Sequence, residues 1–134
     1  MSRHNNLLGR RGFTLIEISM VIALILGLTA IAGLSISSVT VWKKGRTASL
    51  ALEAVYVAQR SYLADHPAST LQGISSATLT TYLPAGWHVM PVMTGLDGEA
   101  LVVGYGTMPP IFLNGINRYD PSQSTSDGLW DVGE

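Results

Sequence analysis

A long apolar run is the dominant feature of the hydrophobic pattern. Residues 13–42 contain one charged residue, Glu17, and residues 18–42 contain none. As an α-helix this run would extend about 45 Å, more than the roughly 30 Å hydrocarbon core of a bilayer. The pattern therefore predicts a membrane-spanning helix. The alternative is a buried helix of a soluble domain, but the remaining chain is too short to cover the run on every side.

Helical spacing continues beyond the run, through residues 43–66. We expect one face to be buried, at positions that recur near every 3.6 residues: Leu50, Ala54, Val57, Ala58, Ser61 and Tyr62. Gly45 costs a helix about 1 kcal/mol, which is not enough to end it. Pro67 does end it, because the residue before a proline avoids the helical region. We predict a single helix from about Thr14 to Asp65.

Short elements follow the proline. Ser75 and Ser76 are candidate caps for a short helix over residues 77–83. Strand-like stretches cover residues 87–93, 100–105 and 111–113, and Asp97-Gly98 is a turn signal between the first two. Pro91 weakens the first strand or places it at an edge.

The predicted fold class is α+β. It has a long N-terminal α-helix, whose first half spans a membrane, and a small C-terminal antiparallel β-sheet packed on the second half. The expected segments are a basic leader over residues 1–12, the hydrophobic helix over 13–42, its amphipathic continuation over 43–66, and a β-rich globular domain over 67–134.

Charge is scarce and unevenly distributed. Charged residues make up 13% of the chain, against roughly 25% in an average soluble protein. Basic residues flank the apolar run on both sides: Arg3, Arg10 and Arg11 before it, and Lys43, Lys44 and Arg46 after it. Acids then predominate: Glu53, Asp65, Asp97, Glu99, Asp120, Asp127, Asp131 and Glu134. The net charge of −1 gives no basic field for nucleic acid, so no nucleic-acid partner is predicted.

The sequence contains few candidate catalytic residues. The absence of cysteine excludes a disulfide framework, a thiolate nucleophile and a cysteine zinc site. His4, His66 and His88 show no metal-ligand spacing. Neither a nucleophile elbow, nor a phosphate loop, nor a dinucleotide fingerprint is present. We predict that the protein is not an enzyme and requires no cofactor.

Glu17 is a candidate functional residue because it lies inside the apolar run. An ionised carboxylate costs a few kcal/mol in hydrocarbon and usually has a partner or a role. The candidate partners are the leader arginines or, after cleavage, a new α-amino group. The alternative is that Glu17 extends to the lipid headgroups.

The octet from Arg10 to Glu17, RRGFTLIE, resembles the N-terminal signal of type IV pilins and of the pseudopilins of type II secretion. The resemblance implies that a membrane peptidase cuts between Gly12 and Phe13 and methylates the new amine of Phe13. It also implies assembly through the N-terminal helix, with Glu17 as an assembly residue. The absence of a cysteine pair favours the pseudopilin side, since many type IV pilins carry a C-terminal disulfide loop.

The resemblance also implies partners and a location. The expected partners are further copies in a filament, other pilin-like subunits, the prepilin peptidase and methylase, an inner-membrane assembly platform and the membrane itself. The expected location is the bacterial inner membrane, crossed once with the C-terminal domain in the periplasm. After assembly the subunit would lie in a periplasmic pseudopilus or a cell-surface pilus.

Two other interpretations of the N-terminal region stay open. Arg10, Arg11 and Phe13 also fit a twin-arginine export signal, and residues 30–32 fit a cleavage site after Ala32. Cleavage there would release a soluble binding or enzymatic domain. Glu17 and the continuation of the apolar run to Trp42 are unfavourable to this interpretation. The other possibility is an uncleaved signal anchor.

The acidic tail contains candidate calcium ligands. Asp120, Asp127 and Asp131 supply the hard oxygen atoms that calcium prefers, although their spacing is not that of an EF-hand. The resemblance to major pseudopilins, which bind calcium in their C-terminal loop, suggests the same here. A solvated acidic loop is the alternative.

Overall fold

The structure, a computed structural model, describes residues 12–133, apart from the side chain of residue 35. Helix α1 covers Leu15–Asp65 and helix α2 covers Ser76–Thr80. Four short strands follow, β1 (Met93–Thr94), β2 (Ala100–Gly104), β3 (Ile111–Asn114) and β4 (Asn117–Arg118). The α+β prediction of a long N-terminal helix and a small antiparallel sheet is confirmed. The chain divides into two compact units, Met1–Ser37 and Ser38–Glu134.

The first unit is exposed throughout the part that the structure describes. Residues 12–34, 36 and 37 all lie on the surface. The hydroxyls of Ser19, Thr29 and Ser37 donate to carbonyls of the preceding helical turn at 2.9 Å, which satisfies polar groups that hydrocarbon would not. Helix α1 is long and apolar enough to cross a membrane, by length and composition.

The second unit has a core between the helix and the sheet. The helix contributes Ala48, Ala51, Leu52, Val55 and Ala58, and the strands contribute Leu101, Val103 and Phe112. Alternate residues of β2 are buried, which is the pattern of a strand with one covered face. The predicted packing of the sheet on the second half of the helix is confirmed.

The sheet is a meander in the order β1-β2-β3-β4. Met93 pairs with Leu101, Val102 with Leu113, and Leu113 with Arg118, and all three pairings are antiparallel. Gly98 adopts a φ of +89° in the β1–β2 turn, which confirms the turn predicted at Asp97-Gly98. The predictions of β2 and β3 are also confirmed, each to within one residue.

Two predictions about this unit are wrong. Only Met93 of the stretch 87–93 belongs to a strand, because Pro91 has no N–H for a ladder and is itself buried. The predicted buried helix face is rotated: Ala54 and Ala58 are buried, but Leu50, Val57 and Ser61 are exposed. The sheet instead packs on a face rich in alanine, where small side chains allow a close approach.

The C-terminal segment closes the core against the start of this helix half. The N–H of Trp130 donates to the carbonyl of Gly45 at 3.2 Å, and the Trp130 side chain is 3% exposed. A Cβ atom at residue 45 would lie 2.9 Å from Trp130 Nε1 and 3.2 Å from Leu129 Cβ. Gly45 therefore permits a close contact, which explains a glycine within a helix.

Candidate processing and assembly site

The candidate cleavage site lies directly before helix α1. Gly12 and Phe13 precede the helix and have no regular secondary structure, and Phe13 is 82% exposed. A Cβ atom at residue 12 would meet no other atom within 4 Å. In the described chain a larger residue would therefore fit at position 12 without a steric clash. The leader residues 1–11, including Arg3, Arg10 and Arg11, lie outside the described residues.

Glu17 lies in the first turn of α1 and forms a capping box with Thr14. Its Oε2 accepts from the Thr14 backbone N–H at 2.8 Å and from the Thr14 hydroxyl at 2.9 Å. The Glu17 N–H donates in return to Thr14 Oγ1 at 3.3 Å. The two residues thus satisfy donors that would be unpaired at a helix N-terminus. The Thr-x-x-Glu spacing is the signal of this capping box in the sequence.

Thr14 and Glu17, together with the two residues of the candidate cleavage site, form a surface site. Gly12, Phe13, Thr14 and Glu17 line one open concavity. A carboxylate in the first helical turn is favourable because the helix dipole is positive there. The arrangement places one acid, already held by two donors, beside the residue that cleavage would make the N-terminus.

The three candidate calcium ligands lie close enough to influence one another but have separate partners. Asp120 Oδ1 accepts from the N–H and hydroxyl of Ser122, and its Oδ2 pairs with Arg118 at 3.2 Å. Asp127 Oδ1 accepts from the N–H of Leu129 at 2.9 Å. Among the described residues, no group of three or more acidic, histidine or cysteine side chains is arranged to hold a metal ion.

Asp131 differs from the other two acids because it is buried, at 6% exposure. Its Oδ1 accepts from the N–H of Gly133 at 2.8 Å, whereas its buried Oδ2 has no hydrogen-bond partner among the residues that the structure describes. Burial raises the pKa of Asp131 above its ordinary value, the Gly133 N–H opposes that rise, and the charges of Asp127 and Asp120 add to it. One carboxylate oxygen of Asp131 is thus left unpaired among the described residues. Asp120 and Asp127 have hydrogen-bond partners of their own and do not surround this oxygen as ligands of a shared cation would.

A second polar cluster joins the β1–β2 turn to the helix. Tyr119 Oη accepts from the N–H of Leu96 at 2.7 Å and contacts the Glu99 carboxylate, while Lys44 Nζ lies 3.4 Å from the Gly95 carbonyl. The Glu99 backbone N–H lowers the pKa of its own carboxyl, with smaller contributions from Tyr119 and Lys44. A Cβ atom on Gly95 would collide with Glu99. Sequence reasoning missed this cluster, whose members come from three separate parts of the chain: helix α1, the β1–β2 turn and the residue after β4.

Comparison of the chain with protein-family models, with curated proteins and with solved structures gives no match.

Proposed function

We propose that this chain is a structural subunit of a type II secretion pseudopilus or a type IV pilus. In this proposal it is inserted in the membrane as a precursor, cleaved between Gly12 and Phe13, and polymerised through its N-terminal helix. The observation that carries the proposal is the RRGFTLIE octet, whose last three residues begin an exposed apolar helix.

The accessibility of the cleavage site supports the proposal. A peptidase needs extended, unhindered backbone, and Gly12 and Phe13 precede the first helical residue, Leu15. The exposed apolar side chains of residues 13–37 support a role in lipid or in a helix bundle, because water is an unfavourable environment for a surface of this size.

Glu17 supports the assembly step of the proposal. After cleavage the Phe13 amine would carry a positive charge one turn from Glu17, in the same apolar layer. In a bundle of apolar helices water is excluded, and an unpaired carboxylate becomes costly. In the proposed mechanism Glu17 of an incoming subunit pairs with the Phe13 amine of its neighbour and sets the axial register.

The mass of the mature protein tests the proposal. The chain is expressed with the secretion or pilus genes of its host, purified from membranes, and measured intact. A chain that begins at Phe13 with a methylated amine agrees with the proposal. A chain that begins at Gly33 would contradict it and favour the exported soluble domain, and an uncut chain would favour the signal anchor.

Neighbouring genes separate the two filament types. A secretion ATPase with an outer-membrane secretin indicates type II secretion, and a retraction ATPase indicates a type IV pilus. In either case the proposed orientation places the leader in the cytoplasm and the globular part in the periplasm, because basic leaders remain on the cytoplasmic side.

A further inference from the structure

Helix α1 carries a patch of four neighbouring residues where the apolar run ends. The patch consists of Val39, Trp42, Lys43 and Arg46, and we call it the boundary patch. Their spacing of three and four residues places them on one face of the helix. None of them contributes to the core: Val39 and Trp42 are 50% and 56% exposed, and Lys43 and Arg46 also lie on the surface.

The boundary patch changes from apolar to basic along the helix axis, not around it. Val39 and Trp42 are apolar, and the two cations follow within about one turn. The whole patch extends about 10 Å along the axis. A bilayer passes from hydrocarbon to headgroups over roughly 5–8 Å on each side, and tryptophan is enriched at this depth. The patch therefore matches the edge of a bilayer in length and in polarity.

The two cations of the boundary patch are available to an anion. Lys43 has no ion pair with an acidic side chain among the described residues, and Arg46 lies 3.5 Å from Glu53 in an exposed pair. A guanidinium has five donors, so this pair leaves donors for a second anion. Lys44, in contrast, is half-buried, and its Nζ lies 3.4 Å from the Gly95 carbonyl. The fold thus directs Lys44 to the sheet and leaves the other two cations on the surface.

We propose that the boundary patch binds the phosphate group of an anionic phospholipid, with an acyl chain along Val39 and Trp42. Two observations identify the occupant as a lipid. The cations are continuous with exposed apolar side chains, which a soluble anion would leave in water, and they follow a charge-free segment long enough to span a bilayer. Lys43 and Arg46 donate charge-assisted hydrogen bonds to the phosphate oxygens. The inference rests on the membrane insertion that the proposed function requires, but not on cleavage or filament assembly.

Lipid binding accounts for basic residues on both sides of the apolar run. Basic residues are favoured on the cytoplasmic side of a membrane, so Lys43 and Arg46 are unfavourable on the translocated side unless an anion compensates them. A headgroup phosphate supplies that compensation. It also fixes the depth of the helix, because any deeper position would move the two charges into hydrocarbon.

Quenching by brominated lipids provides the experiment, because Trp42 is a reporter within the boundary patch. The full chain carrying Trp87→Phe is reconstituted in phosphatidylcholine vesicles that contain a minor fraction of brominated phosphatidylglycerol or of brominated phosphatidylcholine. Trp130 is buried in the core and gives a background that Trp42→Phe measures. We expect brominated phosphatidylglycerol to compete for the site at Trp42 about fivefold better than brominated phosphatidylcholine.

Charge removal tests which cations are responsible for this preference. Lys43→Gln and Arg46→Gln should each lower it by about half, and the double variant should abolish it, as should high salt. Lys43→Arg keeps the charge and should keep the preference. The matched control is Arg60→Gln, an exposed cation near the same helix face as Arg46 but about 21 Å further along the axis. This variant should retain the full preference.

Several outcomes would overturn the inference. Equal quenching by the two brominated lipids would show that the patch does not select an anionic headgroup. A preference that survives in the double variant would place the anionic lipid elsewhere on the chain. Loss of the preference in inorganic phosphate, at matched ionic strength, would indicate a general anion site.

Flotation and cleavage separate this inference from the proposed function. A chain that does not float with the vesicles would overturn the membrane insertion and this inference together. A chain that shows the preference but is not cut at Gly12 in its host would support this inference and overturn the proposed processing alone.

Discussion

Thr14 and Glu17 are joined by two hydrogen bonds to one oxygen atom, from the Thr14 N–H at 2.8 Å and from its hydroxyl at 2.9 Å. Glu17 therefore has a local partner in the isolated chain, in addition to the charge that we assign to assembly. The two roles can be separated because glutamine also fits a capping box but carries no charge.

Substitutions at Glu17 should distinguish the helix cap from the ion pair. Glu17→Ala and Glu17→Gln are expected to be inserted and cleaved but to assemble poorly, because removing one member of a buried pair typically costs about 3–5 kcal/mol. Glu17→Asp, one methylene shorter, should be partly defective. The control Thr14→Ala loses the hydroxyl but keeps the acid, and it should assemble nearly as wild type. Filament yield in the sheared fraction and cleavage on a gel are the measurements, and full assembly of cleaved Glu17→Gln would show that the charge is not needed.

Substitutions at Gly12 should affect processing without affecting folding. Gly12→Ala is expected to be cut poorly and Gly12→Val not at all, since a β-branched residue restricts the backbone that enters the peptidase. A side chain here would meet no atom of the described chain, so the thermal midpoint Tm of the uncut protein should not change. Gel mobility reports cleavage, and a normally shortened Gly12→Val chain would contradict the prediction.

Gly45→Ala should destabilise the protein despite improving helix propensity. Alanine is favoured over glycine in a helix by about 1 kcal/mol, but its Cβ would lie 2.9 Å from Trp130 Nε1. Overpacking of this kind typically costs roughly 1–3 kcal/mol. We expect a lower Tm for the detergent-solubilised chain and weaker protection of the Trp130 ring from quenchers. Gly27→Ala, where a Cβ meets nothing within 4 Å, is the control and should not lower the Tm.

Asp131→Asn should stabilise the protein in a pH-dependent manner. The folded-state pKa of Asp131 is raised above the ordinary value of 3.8, so the folded chain holds this proton more tightly than the unfolded chain. Stability from this group is present below pH 3.8 and is lost as pH rises through the folded pKa. At pH 7 the variant should therefore melt at a higher temperature than wild type, and the difference should shrink as pH falls towards 3.8. A constant difference at both pH values would assign the effect to packing.

If the acidic tail binds calcium, calcium should reverse the order of the Tm values of wild type and Asp131→Asn. In that case the cation would compensate the unpaired Asp131 Oδ2, and calcium would raise the Tm of wild type but leave that of Asp131→Asn unchanged. Magnesium at equal concentration is the control, because it loses its water ligands reluctantly. If calcium leaves the Tm of wild type unchanged, Asp120, Asp127 and Asp131 are excluded as a calcium site.

The helix and the central strands could be predicted because their signals are local. A long apolar run and Pro67 predict a helix that ends at Asp65, and a strand-like stretch after the Asp97-Gly98 turn predicts β2. The face of the helix beyond Gly45 could not be predicted in the same way. The buried face is rich in alanine, which is less hydrophobic than leucine or valine. Hydrophobicity alone therefore predicted that Leu50 and Val57 are buried, whereas burial depends on how closely the sheet approaches the helix.

The candidate site residues also divide into those that could be predicted from the sequence and those that could not. Gly12, Phe13 and Glu17 are adjacent in sequence and could be found by pattern. The environment of Asp131 could not, because its burial and its unpaired oxygen arise from the path of the chain around it. The β4 strand was also missed, since Asn117 and Arg118 are polar and only their pairing with β3 makes them a strand.

The contact between Trp130 and Gly45 orders the events of biogenesis. Residue 130 is synthesised after every strand of the sheet, so its contact with Gly45 forms only after the strands have been made. During that interval the helix lacks the Trp130 side chain that packs against Gly45 in the folded protein. The globular unit is therefore complete only when synthesis of the C-terminal segment is complete, and a chain that ends before Trp130 lacks the contact with Gly45.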